Sequence, residues 1–550
     1  MVSAAEIPTE LRAVHVLNRL AFGPRPGDVA RVNAMGVERY IQQQLSPTSI
    51  AISASLTDRV AQMETLRMTP PELFIKYGRP EAERKGEKPD PEARKEARRR
   101  AHIIIQEAVS ARLMRAIEGP RQLQEMMVDF WFNHFNVFAD KGLGHLWVGS
   151  YEQQAIRPHA LGRFRDLLEA TAKHPAMLFY LDNWQNTAPN SPGVRGKFEG
   201  LNENYARELM ELHTLGVNGG YSQQDVITLA RILTGWGIQK PRRRNPARMA
   251  RAGGGRNFNG FSGLGALGGF PGMGAFRAFG MRPFNSTPRR AMQNPGEGPD
   301  EYGFYFDPSR HDFSDKVFLE RQIKGSGAAE VEQALDILAH SPATARHISY
   351  QLAQFFVADN PPEALVQRMA SRFSSSDGNI RSVLATLFQS REFWDRRYFG
   401  AKFKTPQQYI ISATRASGVE VLNYRVLAGN AARLGMPFYG CQTPDGYKNT
   451  QEAWLNPDAM MIRLSLATAL GGGHLPLDRP PPDDAMGGRV TRVSLRKFDR
   501  PGGSMGPLDS SALRTTLGNN FSSHTLDTIE AAPPDLRAAL MLGSPEFMRR

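Results

Sequence analysis

Apolar residues recur at helical spacing along most of this chain, and that periodicity constrains the fold more than any motif does. Leu11, Val14, Leu17 and Ala21 form one stripe, with Thr9 placed to cap it and Phe22-Gly23-Pro24 to stop it. A second helix is expected from Asp28 to about Leu45, ended by Ser46-Pro47. Asp90-Pro91-Glu92 offers a capping carboxylate, a first-turn proline and an acid near the positive helix end, so a helix should run on to about Ile117. The mixed charges of 79–100 read as a solvated face. Helical patterns also cover 121–138, 151–182 and 201–215. Ser222 opens another helix with Asp225 three positions on; Val226, Leu229, Ala230 and Leu233 form its stripe, and Gly235 stops it. Helices resume at Ser341-Pro342 and continue through Gln354, 364–373, 380–393 and 406–417. An internal echo pairs Ser390-Arg391-Glu392-Phe393 with Ser544-Pro545-Glu546-Phe547, each reading as a helix closing on a turn.

The expected fold is mostly α, a large multi-helix assembly with a long Gly/Arg-rich loop insert. The 550 residues, 41% hydrophobic and 22% charged, suffice for a sizeable core. The expected organisation is 1–236 as an N-terminal helical region with the candidate site, 237–303 as a flexible basic insert, 304–470 as a C-terminal helical region, and 471–550 as a loop-rich tail ending in a short helix. No apolar run reaches the roughly 18 residues of a bilayer span. Met1–Arg12 shows no charged-then-apolar export signal, so the expectation is either no export or a signal already removed. The single cysteine, Cys441, forms no intrachain disulfide and reads as a small buried hydrophobe.

Net charge is +13, yet eleven basic residues and no acid lie between Gly237 and Gly296. Removing those eleven from +13 leaves +2 for the rest of the chain. Phe258, Phe261, Phe270, Phe276 and Phe279 interleave with arginines there. The stretch 240–296 is either a passive loop or a grip on an anionic polymer or partner. Nucleic acid is disfavoured, because no reading helix or sheet accompanies the charge. If the grip exists, deleting 240–296 abolishes retention on heparin or polyphosphate and leaves the fold intact; unchanged retention removes the role.

Two short motifs fail their context. Gly263-x-Gly265-x-x-Gly268 has no strand before it and no helix after it. Gly502-x-Ser504-x-Gly506 runs straight into Pro507, where a nucleophile elbow needs a helix.

Three constellations remain. In Phe130-Trp131-Phe132-Asn133-His134-Phe135-Asn136-Val137-Phe138, burial of the aromatics carries His134 and Asn133 inward, where both need partners. His134 is then either a core histidine bonded to backbone or an acid/base or ligand group. In Asn202 through His213, residues Glu203, Asn204, Arg207, Glu208 and Glu211 share one helical arc. Glu203 and Arg207 suit an i,i+4 ion pair, while Glu208 and Glu211 are spaced to converge. Both a divalent-cation site of Glu203, Glu208 and Glu211 and a solvated face fit this arc. The third, Phe306-Asp307-Pro308-Ser309-Arg310-His311-Asp312 with Lys316, reads as a strand end and turn that closes over a pocket or braces a loop. His159, His174 and His347 read as structural.

These stretches, with Ile156-Arg157-Pro158-His159, Lys173-His174-Pro175, Leu233-Thr234-Gly235-Trp236 and Ser341-Pro342-Ala343-Thr344-Ala345-Arg346, resemble the bacterial domain-of-unknown-function family 1800 from about residue 12 onward. The resemblance implies no set reaction. Its members are often exported and often encoded beside a sulfatase-like family, which points to periplasmic or extracellular envelope work, whereas the absence of a visible signal leaves the cytoplasm open. The expected function is an envelope-associated enzyme, hydrolytic before redox. His134, Arg207, Glu208, His311 and Asp312 would be catalytic, and a divalent metal ion on the glutamates is the cofactor expectation. The alternative is a non-enzymatic assembly protein acting through its insert.

Overall fold

The computed structural model describes residues 5–78, 90–239, 300–480 and 506–550. Met1–Gln239 and Pro299–Arg550 gather into a first, compact unit. The insert's phenylalanines and arginines and its glycine motif, and most of the Gly502–Gly506 motif, lie outside the described residues.

The first unit is mostly helical. Its only named strands among the described residues are four three-residue segments in two antiparallel ladders. One ladder pairs Trp236–Ile238 with Phe304–Phe306, so the chain leaves and re-enters the unit at adjacent positions. No described helix is long and apolar enough to cross a membrane.

Local capping chemistry forms where the sequence offers it. Asp90 accepts from the Glu92 N–H at the head of the Pro91–Glu118 helix, Ser222 and Asp225 form a reciprocal capping box, and Ser341 accepts from Ala343. The two echoed turns are alike in structure. Ser390 Oγ accepts the Phe393 N–H at 3.2 Å, Ser544 Oγ accepts that of Phe547 at 3.1 Å, and both rings are buried.

Four expectations are corrected. The first helix is capped by Pro8, and Thr9 is already its first residue. The second divides into Asp28–Met35 and Val37–Leu45, because Gly36 sits at φ 87°, a left-handed conformation that glycine adopts without cost. The segment 151–182 is also broken: a π-helical turn, Tyr151–Ile156, continues the Gly144–Ser150 helix and is followed by the shorter helices Phe164–Lys173 and Pro175–Tyr180. The tail 471–550, expected to be loop-rich and to end in one short helix, contains among its described residues the helices Ser510–Thr516 and Ser523–Ala531 before the last one, Pro534–Gly543.

The long Pro91–Glu118 helix is central. Gly149 lets the Gly144–Ser150 helix close upon it, since a Cβ there would stand 3.1 Å from that of Ala108. The fully buried guanidinium of Arg415 receives its C-terminal carbonyls, donating to Ala116 O at 3.2 Å and Ile117 O at 2.7 Å.

Candidate functional site

The Gln122–His134 helix ends in the aromatic run, and its polar members face one cavity of about 400 Å³. Asn133 fixes one wall. Its Nδ2 donates to Tyr447 O and its Oδ1 accepts from Tyr447 N–H, both at 2.8 Å, so the amide pairs like a strand with the 437–449 loop. Gly446 is required beside it, at φ 69°, because a Cβ would lie 2.2 Å from Asn133 O. Asn136 donates to Cys441 O and Thr443 O, anchoring the same loop. Cys441 is buried, as expected of a small hydrophobe.

His134 is buried beneath Phe130, with the rings 8° from parallel. Its Nε2 lies 3.1 Å from His213 O, so Nε2 carries the proton and Nδ1 is left as acceptor. Burial, reinforced by His347, pushes its pKa down to about 3. The ring is therefore neutral at physiological pH and suits hydrogen bonding to a ligand rather than proton donation.

The opposite wall comes from the Pro342–Phe356 and Pro406–Ser417 helices. Thr405 and Gln408 form a capping box: Thr405 Oγ1 accepts from Gln408 N–H, and Gln408 Oε1 accepts from Thr405 N–H. That exchange holds the Gln408 amide in place and leaves its buried Nε2 without a partner. Gln351 Oε1 is likewise buried without a well-placed hydrogen-bond partner, although the Gln351 side chain lies against the His134 ring and opposes the lowering of its pKa. One orphan donor and one orphan acceptor thus belong to side chains lining the same space.

Arg112, Asp129 and Tyr439 line the cavity too. Arg112 donates to Asp129 at 2.5 Å and to Glu152 at 3.1 Å, and Tyr439 donates to Glu152 at 2.9 Å. Arg157 binds Glu125 through two bonds and Glu152 through a third. Glu152 is fully buried; burial alone would raise its pKa, but Arg112 and Arg157 prevail and lower it.

Carboxylates gather at one side. Glu211 and Asp445 line the cavity. Burial raises the Glu208 carboxyl, with Glu211 and Asp445 adding repulsion. Asp445 moves the other way: burial opposes ionisation, but Lys448 at 2.6 Å and Thr443 lower its pKa.

Over residues 15–549 the chain matches the family described as protein of unknown function, DUF1800. The chain belongs to this family. No curated protein and no solved structure matches it. The matched span of the DUF1800 chain includes every residue of the cavity.

The sequence-nominated residues separate in space. His134 and Glu211 line the cavity; Glu203, Arg207 and Glu208 are not among its lining residues. Arg207 lies between Glu203 and Glu211, 3.4 Å from each, and Gln223 closes the group by bonding both Arg207 and Glu203. A guanidinium thus occupies the position where a cation on Glu203 and Glu211 would bind. Among the described residues no three His, Cys, Asp or Glu side chains form a group able to hold a metal ion.

His311 and Asp312 are not among the cavity's lining residues. His311 is fully buried between Thr234 and Glu330, 2.9 Å from Glu330 Oε1. Glu330 also accepts from Lys316 and Gly327. Asp312 accepts from Arg231 at 2.7 Å; burial opposes its ionisation, but Ser314 and Arg231 bring its pKa down to about 2. Together they tie the Gln223–Ile232 helix, the Lys316–Phe318 strand and the Ala329–Ala339 helix. Of the cavity's other groups, only Gln408 carried a local signal, Thr405-Pro406-Gln407-Gln408 being a capping signature. The 437–449 loop carried none.

Proposed function

We propose that this protein is a hydrolase acting on a hydroxyl-rich, glycan-like polymer, with one sugar unit seated in the cavity between the Gln122–His134 and Pro406–Ser417 helices. The observation that carries this is the pair of unpartnered buried atoms, Gln408 Nε2 and Gln351 Oε1. A hydroxyl accepts from the first and donates to the second, and a hydrocarbon ligand leaves both orphaned. Phe130, Phe355 and Tyr447 supply apolar faces for a sugar ring.

The chemistry falls to the carboxyls whose pKa values diverge. Glu208, whose pKa burial raises and which feels the charges of the lining residues Glu211 and Asp445, serves as the acid toward the leaving oxygen. Asp445, lowered, is ionised and draws a proton from the attacking water. Neutral His134 orients the substrate.

The test is release of reducing ends from a panel of bacterial envelope polysaccharides. Glu208→Gln and Asp445→Asn are each expected to lower kcat by about 10²–10⁴-fold. Gln408→Leu is expected to raise KM about tenfold with a smaller change in kcat. Hydrolysis that proceeds unchanged in Asp445→Asn overturns the assignment.

A further inference from the structure

A second cleft, of about 380 Å³, is lined in part by Gln154 and Ala155 of the π-helical turn Tyr151–Ile156. Glu152 of that turn enters the ion network below the first cavity, whereas Gln154 lines this cleft. Such turns are rare and recur at functional sites.

The tautomer of His174 follows from local structure. His174 is the N-cap of the Pro175–Tyr180 helix, and its Nδ1 accepts the Ala176 N–H at 3.2 Å. A nitrogen that accepts carries no proton, so the neutral ring is protonated at Nε2. Burial pushes its pKa down to about 3, which keeps the ring neutral. That Nε2–H is buried, with the residue only 3% exposed, and has no partner. Gln154 supplies the complement. Its Nε2 donates to Met68 O at 3.2 Å, and its buried Oε1 has no partner. A donor and an acceptor, each fixed by a bond on its other side, thus belong to side chains lining one cleft.

The charge of the lining selects further. Asp166, Glu169 and Asp300 line the cleft beside one ammonium, Lys173, which is bound to Glu169 and Glu332; Glu169 is also paired with Arg165 at 2.8 Å, so the excess negative charge rests on Asp166 and Asp300. An anion is repelled there and a cation attracted. The volume falls within the ~300–1,000 Å³ usual for small-ligand sites.

We propose that this cleft is a second binding site, independent of the cavity assigned above, for an amine-bearing polyol such as an amino sugar. A ligand hydroxyl accepts from His174 Nε2–H and donates to Gln154 Oε1, while the ammonium faces the acidic rim. The site binds and performs no chemistry.

The probe is glucosamine, titrated by calorimetry against the full chain, with glucose and glucose 6-phosphate as comparators. Binding is expected in the ~1 mM range, weaker for glucose and absent for the phosphate. Gln154→Met, which removes the acceptor and keeps the volume, should weaken glucosamine about tenfold, and rim variant Asp166→Asn about threefold. Gln408→Leu, in the first cavity, should leave the Gln154-dependent part of the glucosamine binding unchanged. Three outcomes overturn the proposal: no glucosamine binding, which means that water alone fills the cleft; equal binding of the phosphate; or binding lost in Gln408→Leu and kept in Gln154→Met, which places the sugar in the first cavity.

Discussion

Glu152→Ala is expected to destabilise the protein by about 3–5 kcal/mol, enough to leave much of it unfolded at 37 °C. Glu152 has no solvent exposure and accepts from Arg112, Arg157 and Tyr439. Arg112 and Arg157 are themselves buried enough that burial alone would favour losing their charge, yet their acidic partners raise the pKa of both. Removing Glu152 leaves Arg112 with Asp129 and Arg157 with Glu125, and strands the guanidinium N–H groups that faced the lost carboxylate. Glu152→Gln keeps an acceptor and should cost roughly half as much. The exposed pair Arg346–Glu363, both side chains at least half exposed, is the control; Glu363→Ala should fall within about 1 kcal/mol of the parent. Urea denaturation of the three variants decides the matter. A shift for Glu152→Ala no larger than that of the control means that the network does not hold the cavity floor.

Acidification from pH 7 to 5 is expected to lower the melting temperature steeply. His15, His134, His174 and His213 are all buried, and burial lowers the pKa of each, to about 3 for His134 and His174. In the unfolded chain each titrates near about 6.5. Between those values the unfolded state binds the proton and the folded state refuses it. The stability these groups provide is therefore complete above about pH 6.5 and is lost as pH falls toward 3. At pH 5, His134 and His174 each account for a loss of about 2 kcal/mol, a large part of the usual ~5–15 kcal/mol margin. His340 acts in the opposite sense, its pKa raised by hydrogen bonds to Asp336 and Asp377, but it stands in solvent and its share is small. Lys402 extends the trend upward: burial lowers it to about 8, so stability should keep rising from pH 8 toward 10. Thermal unfolding across this range at constant ionic strength is the measurement; a flat profile between pH 7 and 5 contradicts the burial of these rings.

The elements legible in the sequence are those whose signals act over three or four residues. Asp90, Ser222 and Ser341 cap the helices they precede, the Glu203–Arg207 pair forms, and the two Ser-x-Glu-Phe turns close alike. Gly36 was a local break hidden within an otherwise continuous apolar pattern, because a glycine inside a helix stripe is tolerated unless its φ turns positive. The π turn at Tyr151–Ile156 left no such mark.

The sequence by itself determined that this protein is mostly helical, where many of its helices start, and that Phe130 through Phe138 carries its polar residues inward. Those outcomes follow from hydrogen bonds to near neighbours and from the burial of apolar stripes, both written in adjacent residues. Only the tertiary structure decided which polar groups meet. It separated His311 and Asp312 from His134, set Arg207 between two glutamates, and joined Asn133 to Tyr447 across 314 positions of chain. A long-range partner is chosen by how whole helices pack, and that choice rests on shape complementarity summed over many contacts rather than on any spacing along the chain.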